Sequence, residues 1–341
     1  MIILKSKYQS DFENEYVEKV LLSKIPIKKF YNFGDPNIKD HDLEKENVLI
    51  LYSNTKKIIE EIENFFSSNL IKYNLLHLSD ETLDKEYKFY KEANKVLRGY
   101  FHPNVRHQNC YTVPIGFQSG FLNAKTSLEK KYIWSFIGQI YGNRKDIFNL
   151  LNDVKPNLLF KTDNFMSDSG MSVNEMTKIY NQTIFSICPF GYINPDSFRV
   201  MEILESGCIP IVKKFLNVDY FKYVFGDHPF IVINDWKDAK AKINFYMSDD
   251  QLLKTKQKEV TDWYVKYKDD LSKDIENILN DKKNETRSIQ FKYQVENNKS
   301  LSLRIKYEYW FSYRKKKLVL TLAKSIIKFK KFIKSFVKSL T

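Results

Sequence analysis

Short apolar runs alternate with longer amphipathic stretches along most of the chain. Runs at 48–52, 74–78, 95–98 and 111–115 are rich in Ile, Val, Leu and Tyr, and a second set follows at 132–137, 157–160, 183–188, 208–212 and 230–233. Runs this short and this apolar fit strands buried on both faces. Between them, residues 56–66, 143–152 and 174–180 place apolar side chains at helical spacing. Strand and helix in alternation predict βαβ units and parallel sheets. The polar stretch 118–131, with Gly120, separates the two sets. The division this predicts is a first domain at 1–120, a linker at 121–131 and a second domain at 132–299. Residues 300–313 are read as a return segment to the first domain. Two doubly wound domains of this kind face a central cleft at the carboxyl ends of their strands.

Two glycine-punctuated turns carry candidate chemistry. The run 132–137 leads into Gly138 and then to Asn143, Arg144 and Asp146, where a capping box can open a helix. Free N–H groups at such a turn suit a diphosphate, and Arg144 adds a charge-assisted donor. A plain tight turn with a surface arginine is the alternative. The second turn follows 183–188 with Pro189-Phe190-Gly191, then a helix from Asp196 or Ser197 to Gly207, which has the place of a C′ residue. Arg199, Glu202 and Ser206 share one face of that helix, opposite Val200, Ile203 and Leu204. Ser197 and Arg199 suit phosphate oxygens and Glu202 suits ribose hydroxyls, against the alternative of a solvated Arg199–Glu202 pair.

The string SFRVMEILESGCIPIV at 197–212 resembles the signature of exostosin-type glycosyltransferases, family 47 and its bacterial relatives. WSFIGQIYGNR at 134–144, VLRGYFHPN at 96–104 with VPIGF at 113–117, and HLSDE at 77–81 fit the same pattern in the same order. The resemblance implies a GT-B fold, a nucleotide-sugar donor (UDP above all) bound by the second domain, and inversion at the anomeric carbon without a metal. It makes Gly138, Arg144, Ser197, Arg199 and Glu202 donor-site residues, with Ile203 and Glu205 as departures from the usual small residue and neutral helix. No cofactor is expected. An inverting transfer needs a base from the first domain. Asp80 and Glu81, at the end of run 74–78, come first and His102 second; a helix cap at Asp80 is the competing reading.

Charge changes the picture at one end only. Of the net +13, ten positive charges fall in residues 314–341, which hold no Asp or Glu, leaving +3 for the other 313 residues. Leu322, Ile326, Phe329, Ile333, Phe336 and Leu340 recur at steps of four and three, with Lys324, Lys328, Lys331 and Lys338 off that stripe. This predicts a basic amphipathic helix that lies on an anionic membrane surface. Expected partners are therefore a nucleotide sugar, a glycan or lipid-linked glycan acceptor and that surface, not nucleic acid. The expected setting is cell-surface polysaccharide synthesis, capsule or lipopolysaccharide, at the inner face of the cytoplasmic membrane. The rival function is a non-catalytic protein that binds membrane or nucleic acid through this tail. Three separated cysteines without Cys-x-x-Cys spacing and five scattered histidines point to no disulfide framework or zinc site. Asp40-His41-Asp42 reads as a surface loop.

Overall fold

The computed structural model describes residues 1–38, 43, 47–53, 55–68, 71–78, 81, 88–100, 109–122, 129–141, 144–162, 170–191 and 194–281, with 307, 318, 322 and 325 beyond. Asp40, His41, Asp42, Asp80 and His102 lie outside the described residues, as do Asn143 and the tail positions Lys324, Ile326, Lys328, Phe329, Lys331, Ile333 and Phe336.

The first sheet is wholly parallel, in the order β2-β1-β3-β4-β5-β6. Its strands are β1 (Ile2–Lys5), β2 (Lys29–Asn32), β3 (Val48–Ser53), β4 (Asn74–Leu78), β5 (Val96–Gly99) and β6 (Cys110–Val113). Helix α1 (Asn14–Tyr16) runs on into a π turn at Val17–Leu21, while α2 (Lys56–Ser68) and α3 (Lys88–Glu92) follow β3 and β4. The apolar runs at 48–52, 74–78 and 95–98 become strands whose residues are buried throughout, apart from the terminal Ser53 of β3. The opening Ile2-Ile3-Leu4 also forms a strand, and a central one. Four residues with no polar alternation carry too little pattern to mark a strand in advance, but here both neighbours pair with it.

The second sheet repeats the plan in the order β11-β10-β9-β7-β8, again all parallel. It runs β7 (Tyr132–Gly138), α4 (Arg144–Leu151), β8 (Asn157–Lys161), α5 (Val173–Asn181), β9 (Thr183–Cys188), α6 (Phe198–Glu205), β10 (Ile209–Lys213), α7 (Tyr220–Phe225) and β11 (Ile231–Ile233). Helices α8 (Asp238–Met247) and α9 (Asp250–Leu279) complete the described part. Helix α6 ends as its glycine predicts. Gly207 takes φ +68°, its N–H meets the Leu204 carbonyl at 3.1 Å, and the Cys208 N–H meets that of Ile203 at 2.9 Å. These two bonds are a Schellman motif, which only a residue tolerant of positive φ closes without strain.

The thirty-residue helix α9 crosses between the domains. Its end reaches the first, where the Leu279 carbonyl accepts from Asn47 Nδ2 and Lys24 pairs with Asp269 at 2.8 Å. In the second, Tyr264 donates to Glu205 Oε1 at 2.7 Å and Lys268 Nζ lies 2.9 Å from the same carboxylate. Glu205 is therefore a buried anchor for α9. Replacing it with Ala strands Lys268 and Tyr264, and should cost about 2 kcal/mol, toward the low side for a broken buried pair because Lys268 keeps some solvent. A urea midpoint unchanged in Glu205→Ala would show that the anchor carries no stability. No described helix is long and apolar enough to cross a membrane.

Candidate donor site at the switch point of the second sheet

In the second sheet the strand order reverses between β7 and β9, and ligands of open α/β sheets bind in the crevice outside strand ends at such a point. Both glycine turns named from the sequence meet there. Gly138 ends β7 with φ +147°, and a Cβ built on it would lie 2.4 Å from Arg199 Nη2. The glycine is needed because the guanidinium takes the space that a side chain would fill. Arg199 Nη2 donates to the Ile137 carbonyl at 2.7 Å, and its Cζ stands 4.2 Å from the centroid of the Phe136 ring.

Arg144 enters from the other side. Its Nη1 donates to the Gln139 carbonyl at 2.7 Å, and Nη2 donates to Tyr141 Oη at 2.7 Å and to the Phe190 carbonyl at 2.5 Å. Those bonds bracket the β7 turn to the loop after β9. Its Cζ is 3.9 Å from the Tyr141 ring centroid and 5.7 Å from that of Phe136. Burial, then the neighbouring Arg199 cation, push the Arg144 guanidinium down to about 10. Two cations so close favour an anion between or beside them.

Two polar atoms at the start of α6 point the same way. Ser197 Oγ and Arg199 Nε are buried and make no hydrogen bond, although the Tyr180 hydroxyl approaches the same guanidinium. Ser197 is the N-cap of α6, but its hydroxyl does not cap. Buried polar atoms without partners are rare in native proteins, and at a helix N-terminus they suit an anionic ligand's oxygens.

Glu202 and Ser206 stand differently from the solvated face that helical spacing suggests. Helix α6 is enclosed nearly all round, with Ser206 fully buried and Glu202 9% exposed. Ser206 Oγ donates to the Glu202 carbonyl at 3.0 Å. Burial raises the Glu202 carboxyl to about 7, against the pull of Arg199 and of the Gln118 N–H that faces it. Its visible partner is thus the segment connecting the domains.

From the first domain, Glu81 reaches across the cleft. Its Oε1 accepts the Asn194 N–H at 3.0 Å. Phe12 packs edge-on against Phe198 at 5.1 Å, which brings the turn after β1 onto the first residue of α6. Asp196, read from the sequence only as a possible cap, is 2% exposed and raised to about 8, first by burial. Glu13, 5% exposed, was not singled out by the sequence reading. Isolated acids with no motif around them carry no signal until tertiary packing buries them. Among the described residues, no group of three His, Cys, Asp or Glu is placed to hold a metal ion.

Residues 118–283 match the RXYLT1 C-terminal domain family. Among solved structures, the chain is similar to a DNA-modifying β-glucosyltransferase studied with and without uridine diphosphoglucose, at 12% identity and TM-score 0.51, over 82% of this chain and 100% of that one. It is also similar to the sucrose-phosphate synthase of Thermosynechococcus elongatus, at 11% identity and TM-score 0.50, over 82% of this chain and 98% of the other. No curated protein matches it in sequence. At these identities the likeness is one of fold, two Rossmann-like domains in the GT-B arrangement.

Proposed function

We propose that the chain is an exostosin-like glycosyltransferase, on the match of residues 118–283 to the RXYLT1 C-terminal domain family and on the GT-B fold, and that it moves a sugar from a nucleotide sugar, UDP-linked, to a hydroxyl of a glycan acceptor, with inversion and without a metal. The observation that supports this most is the pair of guanidiniums, Arg144 and Arg199, on the Phe136 ring at the switch point, beside the unpartnered Ser197 Oγ and Arg199 Nε. Fixed positive charge there offsets the charge that develops as a diphosphate departs, at no cost of reorganisation. Bonds to protein carbonyls hold both arginines in place before donor arrives.

In this scheme Glu81 removes the acceptor hydroxyl proton. The acceptor oxygen bonds to the anomeric carbon as the bond from that carbon to the diphosphate oxygen breaks on the opposite face. Nucleoside diphosphate leaves with the electron pair, and the configuration inverts. Asp80 and His102 are the alternative bases. Glu202 remains the candidate for the ribose hydroxyls.

Thermal unfolding against UDP, GDP, CMP, dTDP and ADP, with and without EDTA, tests the donor. Ligand at one hundred times its Kd stabilises the fold by about 2.7 kcal/mol, several degrees for a protein of this size. A shift with UDP that EDTA leaves intact is expected; a shift lost in EDTA would overturn metal independence, and none with any nucleotide would overturn the donor site.

The basic tail supports a site of action at the inner face of the cytoplasmic membrane, in capsule or lipopolysaccharide synthesis. Each lysine near an anionic surface contributes on the order of 1 kcal/mol, and the stripe of Ile and Phe adds apolar insertion. Two described members of the segment, Leu318 and Leu322, are 62% and 54% exposed. Deleting 314–341 should abolish sedimentation with phosphatidylglycerol vesicles while keeping the UDP shift. Retained sedimentation would remove the tail from this role.

A further inference from the structure

Asp196 has no part in the scheme above, yet it is buried where the donor-side loop meets the first domain. Its Oδ1 accepts the Ser197 N–H at 2.9 Å, and its carboxyl also faces the Ile115 N–H. These amides belong to different domains. Ser197 opens helix α6 on the donor side, whereas Ile115 follows β6 of the first sheet. The Ile115 segment is itself held, since Tyr16 Oη donates to the adjoining Pro114 carbonyl at 2.7 Å. Gly116 lies so close to Tyr16 that a Cβ there would sit 2.0 Å from its ring. Tyr16 and Tyr267, both buried, are electrostatic neighbours of the Asp196 carboxyl and help keep water from it.

The loop that Asp196 ends also holds the base of the proposed reaction. Asn194, two residues earlier, gives its N–H to Glu81 Oε1 and its Nδ2 to the Glu81 carbonyl at 3.5 Å. Gly191 packs against the described end of that loop: a Cβ on it would stand 2.6 Å from the Asp196 carbonyl oxygen, 2.9 Å from that of Asn194 and 3.1 Å from Glu81 Oε1. A fixed point at Ile115 thus reaches Glu81 through Asp196, the loop and Asn194 in turn.

We infer that Asp196 is a positioning residue, which braces the donor-side loop against the first domain and thereby sets where Glu81 stands relative to the bound donor. The inference rests on the transferase reading with Glu81 as base. What the brace requires is an acceptor oxygen for two backbone N–H groups, and an asparagine carboxamide keeps one in the same place. A base displaced by about 1 Å costs on the order of 100-fold in rate, whereas donor contacts on Arg144 and Arg199 do not run through this loop's acid.

The test compares wild type, Asp196→Ala, Asp196→Asn and Glu81→Gln by three readouts. These are the UDP thermal shift, the steady-state hydrolysis of UDP-glucose with water as acceptor, and amide hydrogen exchange. Asp196→Ala should keep the UDP shift and a KM within threefold while kcat falls 30- to 100-fold. Asp196→Asn should stay within fivefold of wild type in kcat. Exchange in peptides covering 113–117 and 191–197 should quicken in Asp196→Ala and stay slow in Asp196→Asn, with strand β9 unchanged in both. An Asn variant as impaired as Ala, equal loss of UDP binding and turnover, or exchange unaltered in Asp196→Ala would each overturn the brace. Wild type that neither binds UDP nor hydrolyses the donor, or Glu81→Gln with full turnover, would sink the transferase or base reading instead, and exchange would still decide the brace.

Discussion

Gly138→Ala is expected to weaken donor binding roughly ten- to 150-fold in a protein that still folds. The new methyl would arrive 2.4 Å from Arg199 Nη2, a distance at which one group must leave. The guanidinium is the mobile partner, so it moves, giving up the Ile137 carbonyl and the Phe136 ring. Losing one charge-assisted grip on a diphosphate costs about 1.5–3 kcal/mol, or roughly ten- to 150-fold in affinity. Alanine at φ +147° adds strain of about 1–3 kcal/mol to the fold, to be seen separately in the unfolding midpoint without ligand. A double-mutant cycle isolates the cause. Arg199→Ala alone should weaken nucleotide binding to the same degree, and adding Gly138→Ala to it should weaken binding little further. If the two losses simply add, the glycine acts through the backbone and not through Arg199.

The second large effect concerns pH. Asp196 and Glu202 hold their protons to about 8 and about 7 in the folded protein, in both cases first because burial penalises the carboxylate. Unfolded, both ionise near 4. Between those values the folded state binds more protons than the unfolded one, so stability falls as pH rises through the window from about 4 to about 8. A tenfold change in proton affinity between the two states is worth about 1.4 kcal/mol, which makes the combined loss several kcal/mol by pH 8. Asp196→Asn keeps the shape and removes one titration. Its stability relative to wild type should therefore grow by a few kcal/mol between pH 5 and pH 9, measured by urea unfolding at fixed salt. Parallel curves for variant and wild type across that range would mean that Asp196 is ionised in the folded protein. The same variant serves the positioning test, where it is expected to be near wild type in turnover at pH values where Asp196 is protonated.

The sequence reading located most of the second sheet because its strands are apolar runs bounded by glycine, and such runs have few other uses. It singled out both arginines because each lies in the first turn of a helix that follows a glycine turn, where backbone N–H groups are left unpaired. It put Glu202 on one polar face with Arg199 and Ser206, for ribose hydroxyls, with a solvated ion pair as the alternative; helical spacing reports which residues share a face and not what covers it. Enclosure of α6 and the crossing segment at Gln118 turned that face inward. The reading also left Glu205 as an unexplained acid, although Lys268 and Tyr264, some sixty residues away, give it a purpose.

Local order was thus determined by the chain itself: alternation gave the parallel sheets, and Gly207 the end of α6. These depend on neighbours within a few turns, where spacing along the sequence is distance in space. What stands opposite each group was decided only by the tertiary structure. Arg199 meets the Gly138 backbone, Asn194 meets Glu81, and Asp196 joins Ser197 to Ile115 across separations of some sixty to over a hundred residues, apart from its immediate neighbour Ser197. Burial arises from such meetings, and with it the raised carboxyls, because the cost of charge depends on how much water the rest of the fold excludes.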